Sequence, residues 1–335
     1  MIVGFVLASY AIVANDSIQT LGTFLSSNAH RKWWVLWLYA GGILSFVVLY
    51  GWYTHLGDPS YGRLSKIPLP EHITWIYVLP PLILLFLTRY GLPVSTTFLV
   101  LTIFAQKHLG AMLNKSILGY LVAFGAGFFL YLMISKILES RFMQSGPLKP
   151  KDPASKFWVA GQWISTGFLW SQWLIQDLAN IFVYLPRQLS LTSILAATAM
   201  MLSFHAYIFY SRGGEIQKIV TSKTNTNDIR SATIIDLVYG FILFYFKGLS
   251  HIPMSTTWVF IGLLAGRELA MTIRLRMKRK RDVVPVIMKD VAKAGAGLAV
   301  SVATALLLPL LGSKPKKDLV EKDFSKVAAV EKINK

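Results

Sequence analysis

The residues Val13 to Phe24 read VANDSIQTLGTF, and they set Asn15, Asp16 and Gln19 inside an apolar run that begins at Ile2. An ionisable side chain at membrane depth costs roughly 2.5–3.5 kcal/mol, so it persists where it is paired or where it works. Asn15 and Gln19 are four residues apart and share one helical face. A carboxylate beside amide oxygens suits a hard cation such as Na+, and a carboxyl group can equally carry a proton. A second such cluster, Gln176, Asp177 and Asn180, lies in the apolar stretch Phe157 to Leu185. Two further groups carry hydroxyls: Ser95, Thr96 and Thr97 in GLPVSTTFLV, and Ser255, Thr256 and Thr257 in HIPMSTTWVF. Hydroxyls at a helix start, together with its free N–H groups and its dipole, suit an anion.

Each feature has a plainer reading. A buried Asp can simply bond a neighbouring helix, a lone amide is commonly interhelical glue, and Ser95 or Ser255 alone is explained as an N-cap. Recurrence weighs against these. The core Pro-x-Ser-Thr-Thr occurs twice, and the Asp motif recurs at nearly the same offset of about 160 residues, with its flanking amides exchanged. Two polar motifs repeated at one spacing inside apolar runs point to a shared two-fold site.

The elements that must hold these groups are membrane helices. Of 335 residues, 54% are hydrophobic and only 15% charged, well under the roughly 25% of soluble domains. Mean hydropathy is +0.51. Apolar runs long enough to cross a bilayer recur, and a spanning backbone must satisfy its own hydrogen bonds, which makes it helical. Trp33, Trp34, Trp52, Trp75 and Trp158 lie near run ends, as interfacial aromatic belts do. The expected fold is therefore an all-α polytopic membrane protein. The first run lacks the basic start of a signal peptide and is read as part of the fold.

Pro93 and Pro253 interrupt their segments, since proline lacks an N–H and turns the preceding residue away from helix. If both segments are re-entrant helical hairpins, each half crosses an odd number of times and the second half is inverted, as in many secondary transporters. The expected organisation is a first inverted repeat over 1–138, a cytoplasmic linker over 139–156, a second inverted repeat over 157–312 and a basic tail over 313–335. The net charge of +18 fits this. Loops near His30, Pro150, Ser222 and Met277, including RLRMKRKR at Arg274 to Arg281, hold most loop Lys and Arg, which places them in the cytoplasm and both termini outside. Such charge is read as orientation and lipid contact, with no nucleic-acid partner. There is no cysteine, hence no thiolate metal site.

VANDSIQTLGTF resembles the Gly-Ala-Asn-Asp signature of the inorganic phosphate transporters, the PiT family, and LPVSTT and IPMSTT resemble that family's paired Pro-Val-Ser-Thr-Thr tips. The resemblance covers about residues 5–310. It implies an inverted-repeat symporter of the plasma (inner) membrane, commonly dimeric, that moves inorganic phosphate with Na+ or H+ and uses no other cofactor. By position it implies substrate binding by Ser95, Thr96, Thr97, Ser255, Thr256, Thr257, Asp16 and Asp177. It implies cation binding at Asn15, Asp16 and Asp177, with Na+ at Asp16 and Asp177, and the polar residues beside them add Gln19, Gln176 and Asn180 as candidate cation ligands. The chain departs from the pattern in places: Val13 stands where the signature has Gly, Gln19 replaces an Asn, and Leu174-Ile175-Gln176 replaces Gly-Ala-Asn.

The resulting expectation is a cation-coupled phosphate symporter working by alternating access. The alternatives are a permease for sulfate or another oxyanion, or a sensor of the same fold that binds without transport. An enzyme is not expected: the six histidines are scattered, His205 reads as a packed core residue, and no GxxxxGK[ST] loop is present.

Overall fold

A computed structural model describes residues 2–67, 69–70, 74–146, 148, 153–223, 225–249, 254–275 and 280–312, and these are mostly helical with no strand among them. Pro253, residues 276–279 of the Arg274 to Arg281 stretch and the tail 313–335 lie outside the described residues. The long helices are α1 (Ile2–Ser27), α2 (Trp33–Thr54), the short α3 (Leu79–Arg89) and α4 (Thr97–Leu101 continuing into Thr102–Phe104), then α5 (Leu109–Ser145) and α6 (Pro153–Phe182). They are followed by α7 (Leu191–Tyr210), a short α8 (Gln217–Thr221), α9 (Ile229–Leu249), α10 (Thr256–Leu275) and α11 (Lys280–Gly312). Six described helices are long and apolar enough to cross a membrane. The protein is a multi-pass helical membrane protein, as the composition requires.

Hydrogen bonds identify the two ends of the bundle. At one end Ser26 Oγ donates to the Thr226 carbonyl (3.3 Å), Arg212 to that of Arg31 (3.0 Å), and Arg230 to those of Phe142 and Gly146 (2.8 Å each). At the other, the Leu189 N–H bonds the Gly57 carbonyl (3.0 Å) and Arg187 bonds that of Ile67 (2.9 Å). Trp52, expected in an interfacial belt, also donates here, to the Leu189 carbonyl at 2.8 Å. Trp37 and Trp170 staple helices in the same way, to Leu202 and Ala40.

The first proline-broken segment doubles back, and the helices flanking the second run antiparallel. Helix α3 has 11 residues, about 16 Å and roughly half of a hydrocarbon layer. It closes at Gly91, whose φ of +64° favours glycine, and Leu92 N–H then bonds the Leu87 carbonyl at 3.1 Å. The chain is not helical from Leu92 to Ser95 and returns as α4. Helices α9 and α10 also form an antiparallel pair. Arg267, late in α10, bonds Ser231 at the start of α9 (2.7 Å), and the Tyr239 hydroxyl bonds the Thr256 carbonyl (3.0 Å). Here the structure differs from the expected short hairpin: α9 has 21 residues and could cross a bilayer alone. The apolar run Ile234 to Phe246 is extended at its N-terminal side by Ser231 and Thr233 and carries Asp236 within it, and all three polar side chains bond within the bundle.

Helix α10 packs against α5 backbone to backbone. A Cβ on Gly266 would lie 2.1 Å from the Phe124 carbonyl oxygen, and one on Gly262 would lie 2.5 Å from that of Tyr120. Small residues at such crossings are the usual means of close helix approach in membranes. A buried ion pair fastens the same helices: Glu139 on α5 meets Arg267 at 3.2 Å and also accepts from Ser231 (2.7 Å) and Asn225 (2.9 Å). The Arg267 guanidinium lies 4.9 Å over the Tyr131 ring. Glu139, expected to open the linker, is thus buried within a helix that continues to Ser145, because its carboxylate has three donors inside the bundle.

Candidate functional site

Helix α1 widens to a π turn over Val13–Ser17, the segment that carries Asn15 and Asp16. Such turns disturb the regular backbone bonding and cluster at functional sites. Thr20 Oγ1 donates to the Asp16 carbonyl at 3.1 Å, compensating part of that disturbance. Ser17 is held from another helix. His205 Nδ1 faces the Met201 carbonyl at 3.0 Å, which only accepts, so Nδ1 carries the proton. Its Nε2 then accepts from the Ser17 hydroxyl at 3.1 Å. His205 is buried, as expected of a core histidine, but it also braces the turn beside Asp16.

The Asp16 carboxylate accepts from Asn15 Nδ2 on one oxygen and from the Thr96 hydroxyl on the other, each at 2.5 Å. Asn15 Nδ2 also donates to the Val94 carbonyl in the non-helical lead to α4 (2.7 Å). In the second half, Asp177 accepts from the Thr256 hydroxyl (2.8 Å) and from Asn180 Nδ2 (3.0 Å). Each carboxylate is therefore bonded by the middle residue of a Ser-Thr-Thr tip, Asp16 by the first tip and Asp177 by the second.

The tips also bond each other. Thr97 donates to the Met254 carbonyl at 3.2 Å, and Thr257 donates to the Val94 carbonyl at 3.1 Å, a reciprocal pair. Ser95 and Ser255 accept from the N–H groups of Phe98 (3.4 Å) and Trp258 (3.3 Å), the N-caps expected of them. Asn180 joins the halves: its amide also donates to Thr96 Oγ1 (2.9 Å) and Thr97 Oγ1 (3.4 Å). An unbroken chain of hydrogen bonds thus runs from Asp16 through Thr96 and Asn180 to Asp177 and Thr256. The two carboxylates are close enough for their charges to interact.

Several polar atoms near these carboxylates have no hydrogen-bond partner among the described residues. Asn15 Oδ1 and Asn180 Oδ1 are buried without a hydrogen bond, and so are both polar atoms of Gln19. All three residues are at most 3% exposed. Buried polar atoms are ordinarily paired, and orphaned ones call for an explanation such as a ligand. The two carboxylates and the amide oxygens of Asn15, Asn180 and Gln19 are of the donor type that suits a hard cation.

Gln176 is not brought into this set by its amide nitrogen, which donates to the Leu243 carbonyl on α9 at 2.9 Å. Gln172 likewise accepts from Lys247 at 2.9 Å. Both act as interhelical staples, the plainer reading given above. The structure adds Ser116, whose hydroxyl accepts from the Ser255 N–H at 2.8 Å, and another buried aspartate, Asp236. Asp236 accepts from Thr23 (2.5 Å), Thr166 (2.6 Å) and Gln162 (2.9 Å), joining α9 to α1 and α6. Its signal in the sequence is the same as that of Asp16, an acid inside an apolar run, but it has no repeated partner. A separate cavity of about 600 Å³ opens among Ser27, His30, Arg31, Lys156, Trp163 and Asp228, at the end of the bundle that holds the basic loops.

No family model and no curated protein matches the sequence. A solved structure described as "The sodium-dependent phosphate transporter" superposes with a TM-score of 0.59 at 15% identity, over 92% of this chain and 98% of that chain. At this identity the likeness is one of fold, and it covers nearly the whole length of both chains.

Proposed function

We propose that the chain is a cation-coupled oxyanion permease, with inorganic phosphate as its substrate and Na+ or H+ as its coupling ion. The observation that carries this reading is the paired geometry: two buried carboxylates, each bonded by the middle threonine of a Ser-Thr-Thr tip, with the tips crossing reciprocally. The description of the structurally similar protein as a sodium-dependent phosphate transporter supports the same substrate and ion. In this reading the halves are an inverted repeat, the basic loops face the cytoplasm, and the site alternates in access between the two sides.

The geometry supports a coupling mechanism. A threonine hydroxyl has one proton. While Thr96 gives it to Asp16, and Thr256 to Asp177, neither hydroxyl can donate to an anion. A cation bound by the carboxylate and the free oxygens of Asn15, Gln19 and Asn180 takes over the neutralisation of that carboxylate. The hydroxyl is then free to turn to a phosphate oxygen. The cation also removes the repulsion between carboxylate and phosphate, which is severe at low dielectric. Anion and cation binding thereby favour each other by the same factor. A proton on either carboxyl group would serve in the same way.

The test is uptake of radiolabelled phosphate by proteoliposomes of wild type and Asp16→Asn. The variant removes the charge on which the cation depends, so uptake should fall at least about tenfold. Unchanged uptake by a folded variant would sink the reading. Competition by unlabelled sulfate and arsenate in the same assay ranks the oxyanions.

A further inference from the structure

The cavity of about 600 Å³ at the end of the bundle that holds the basic loops takes no part in the arrangement of carboxylates and tips. Its walls come from the close of α1, the loop before α2, and the starts of α6 and α9, through residues such as Ser27, Arg31, Lys156, Trp163 and Asp228. Arg31 is held in place there. Its Nε donates to Asn28 Oδ1 at 3.1 Å, and its guanidinium lies 5.4 Å over the Trp163 ring. Tyr39 (centroids 4.6 Å apart) and Phe24 (5.3 Å, edge-on) fix that ring in turn. Asn28 is fully buried, and its Nδ2 donates to the Phe24 carbonyl at 3.0 Å. The guanidinium is thus preorganised, while its two terminal nitrogens bond no described residue.

The cavity is positive. Lys156 lines it and has no ion pair or hydrogen bond among the described residues. Asp228, the one acid among the described lining residues, is occupied by Arg230: Oδ1 accepts from Nε at 2.9 Å and Oδ2 from Nη2 at 2.6 Å. Trp163 adds an indole N–H that is sealed from solvent with no partner among the described residues. An orphaned buried donor calls for an explanation such as a ligand. A guanidinium fork with free nitrogens, beside a lysine point charge, suits a phosphate group. The volume is that of a site for a whole organic molecule, well beyond one phosphate ion.

The cavity also adjoins the lipid-facing side. Phe157, Ala160 and Ile164 share one face of α6, where Phe157 and Ile164 are 71% and 72% exposed. In a multi-pass membrane protein such an apolar face meets acyl chains. Lys156, Ala160 and Trp163 line the cavity from the adjoining face, so Ala160 belongs to both. Trp33 and Trp34 follow closely on Arg31, and Trp34 is 45% exposed, as side chains at headgroup level are. Basic pockets between membrane helices are where anionic headgroups bind.

We infer that this cavity binds the headgroup of an anionic phospholipid, with its phosphate on Arg31 and Lys156 and its acyl chains along the Phe157 and Ile164 face of α6. The inference stands apart from the transport reading, since neither the carboxylates nor the tips take part.

The experiment titrates full-length, delipidated protein in detergent with phosphatidylglycerol, phosphatidylcholine or inorganic phosphate. Binding is read by native mass spectrometry, with folding checked by thermal unfolding. Wild type should bind one phosphatidylglycerol at least about tenfold more tightly than phosphatidylcholine. Arg31→Gln should weaken that binding roughly 10- to 100-fold through loss of a charge-assisted contact, and Lys156→Gln about fivefold. Lys66→Gln, at an exposed loop lysine beside the Ile67 contact of the opposite end, should bind as wild type does. A folded Arg31→Gln with the wild-type affinity overturns the inference. If that variant does not fold, wild-type affinity in Lys156→Gln, whose lysine is exposed, overturns it instead. Equal affinity for phosphatidylcholine, or equal weakening by Lys66→Gln, overturns it as well. Displacement of the lipid by inorganic phosphate would assign the cavity to the free anion and overturn the lipid assignment.

Discussion

The two threonines that hold the carboxylates are equivalent in the repeat but not in their bonding, and the difference is measurable. Thr256 Oγ1 makes one hydrogen bond, to Asp177 at 2.8 Å. Thr96 Oγ1 makes two, donating to Asp16 at 2.5 Å and accepting from Asn180 at 2.9 Å. Valine keeps the branched shape and deletes the hydroxyl. Loss of a hydrogen bond to a charged group costs about 1.5–3 kcal/mol, and loss of a neutral one about 0.5–1.5 kcal/mol. Thr96→Val should therefore cost about 1 kcal/mol more than Thr256→Val. With an unfolding entropy of about 2.1 cal/mol/K per residue, each kcal/mol lowers the melting temperature of a chain this long by about 1–2 °C. Thermal unfolding in detergent should show Thr256→Val lower than wild type by about 2–4 °C, and Thr96→Val lower by about a further 1–2 °C. In uptake, both variants should raise the KM for phosphate about tenfold, because the donor to the anion is gone. Neither should weaken the cation dependence, because the carboxylate has lost a competitor. A larger destabilisation by Thr256→Val, or a phosphate KM unchanged in both, would refute the reasoning.

Glu139→Gln removes the charge from a fully buried pair and should destabilise by about 3–5 kcal/mol, read as a fall of about 4–7 °C in melting temperature. Gly266→Ala should be worse still or fail to fold, since its Cβ would meet the Phe124 carbonyl oxygen at 2.1 Å. Gly125→Ala on α5, where a Cβ meets nothing within 4 Å, is the control and should be neutral or slightly stabilising. Size-exclusion profiles and melting curves check all three.

The motifs that the sequence marks most strongly are those whose chemistry clashes with their surroundings. Asp16 and Asp177 are acids in apolar helices, and Pro93 breaks a run that would otherwise cross; the structure brings both acids and both Ser-Thr-Thr tips to one place. The π turn at Val13–Ser17 left no mark, because no glycine or proline is needed to widen a helix whose freed carbonyl a threonine can satisfy. Gln176 matched the Asp motif by position, but its longer side chain reaches the Leu243 carbonyl on the next helix. Glu139 read as the start of a polar linker because its three partners, Asn225, Ser231 and Arg267, come from far along the chain. Arg63 read as one of a few loop charges, since burial of a loop residue depends on tertiary packing that no local pattern encodes.

The most direct test of the central claim is phosphate accumulation by wild-type proteoliposomes at fixed external phosphate, with Na+ replaced by choline and the pH gradient varied independently. The account predicts accumulation above the external concentration that is lost when the coupling gradient is removed: with choline if Na+ drives it, or with collapse of the pH gradient if H+ does. Phosphate that only equilibrates, or fails to enter, under every combination of the two gradients would contradict it.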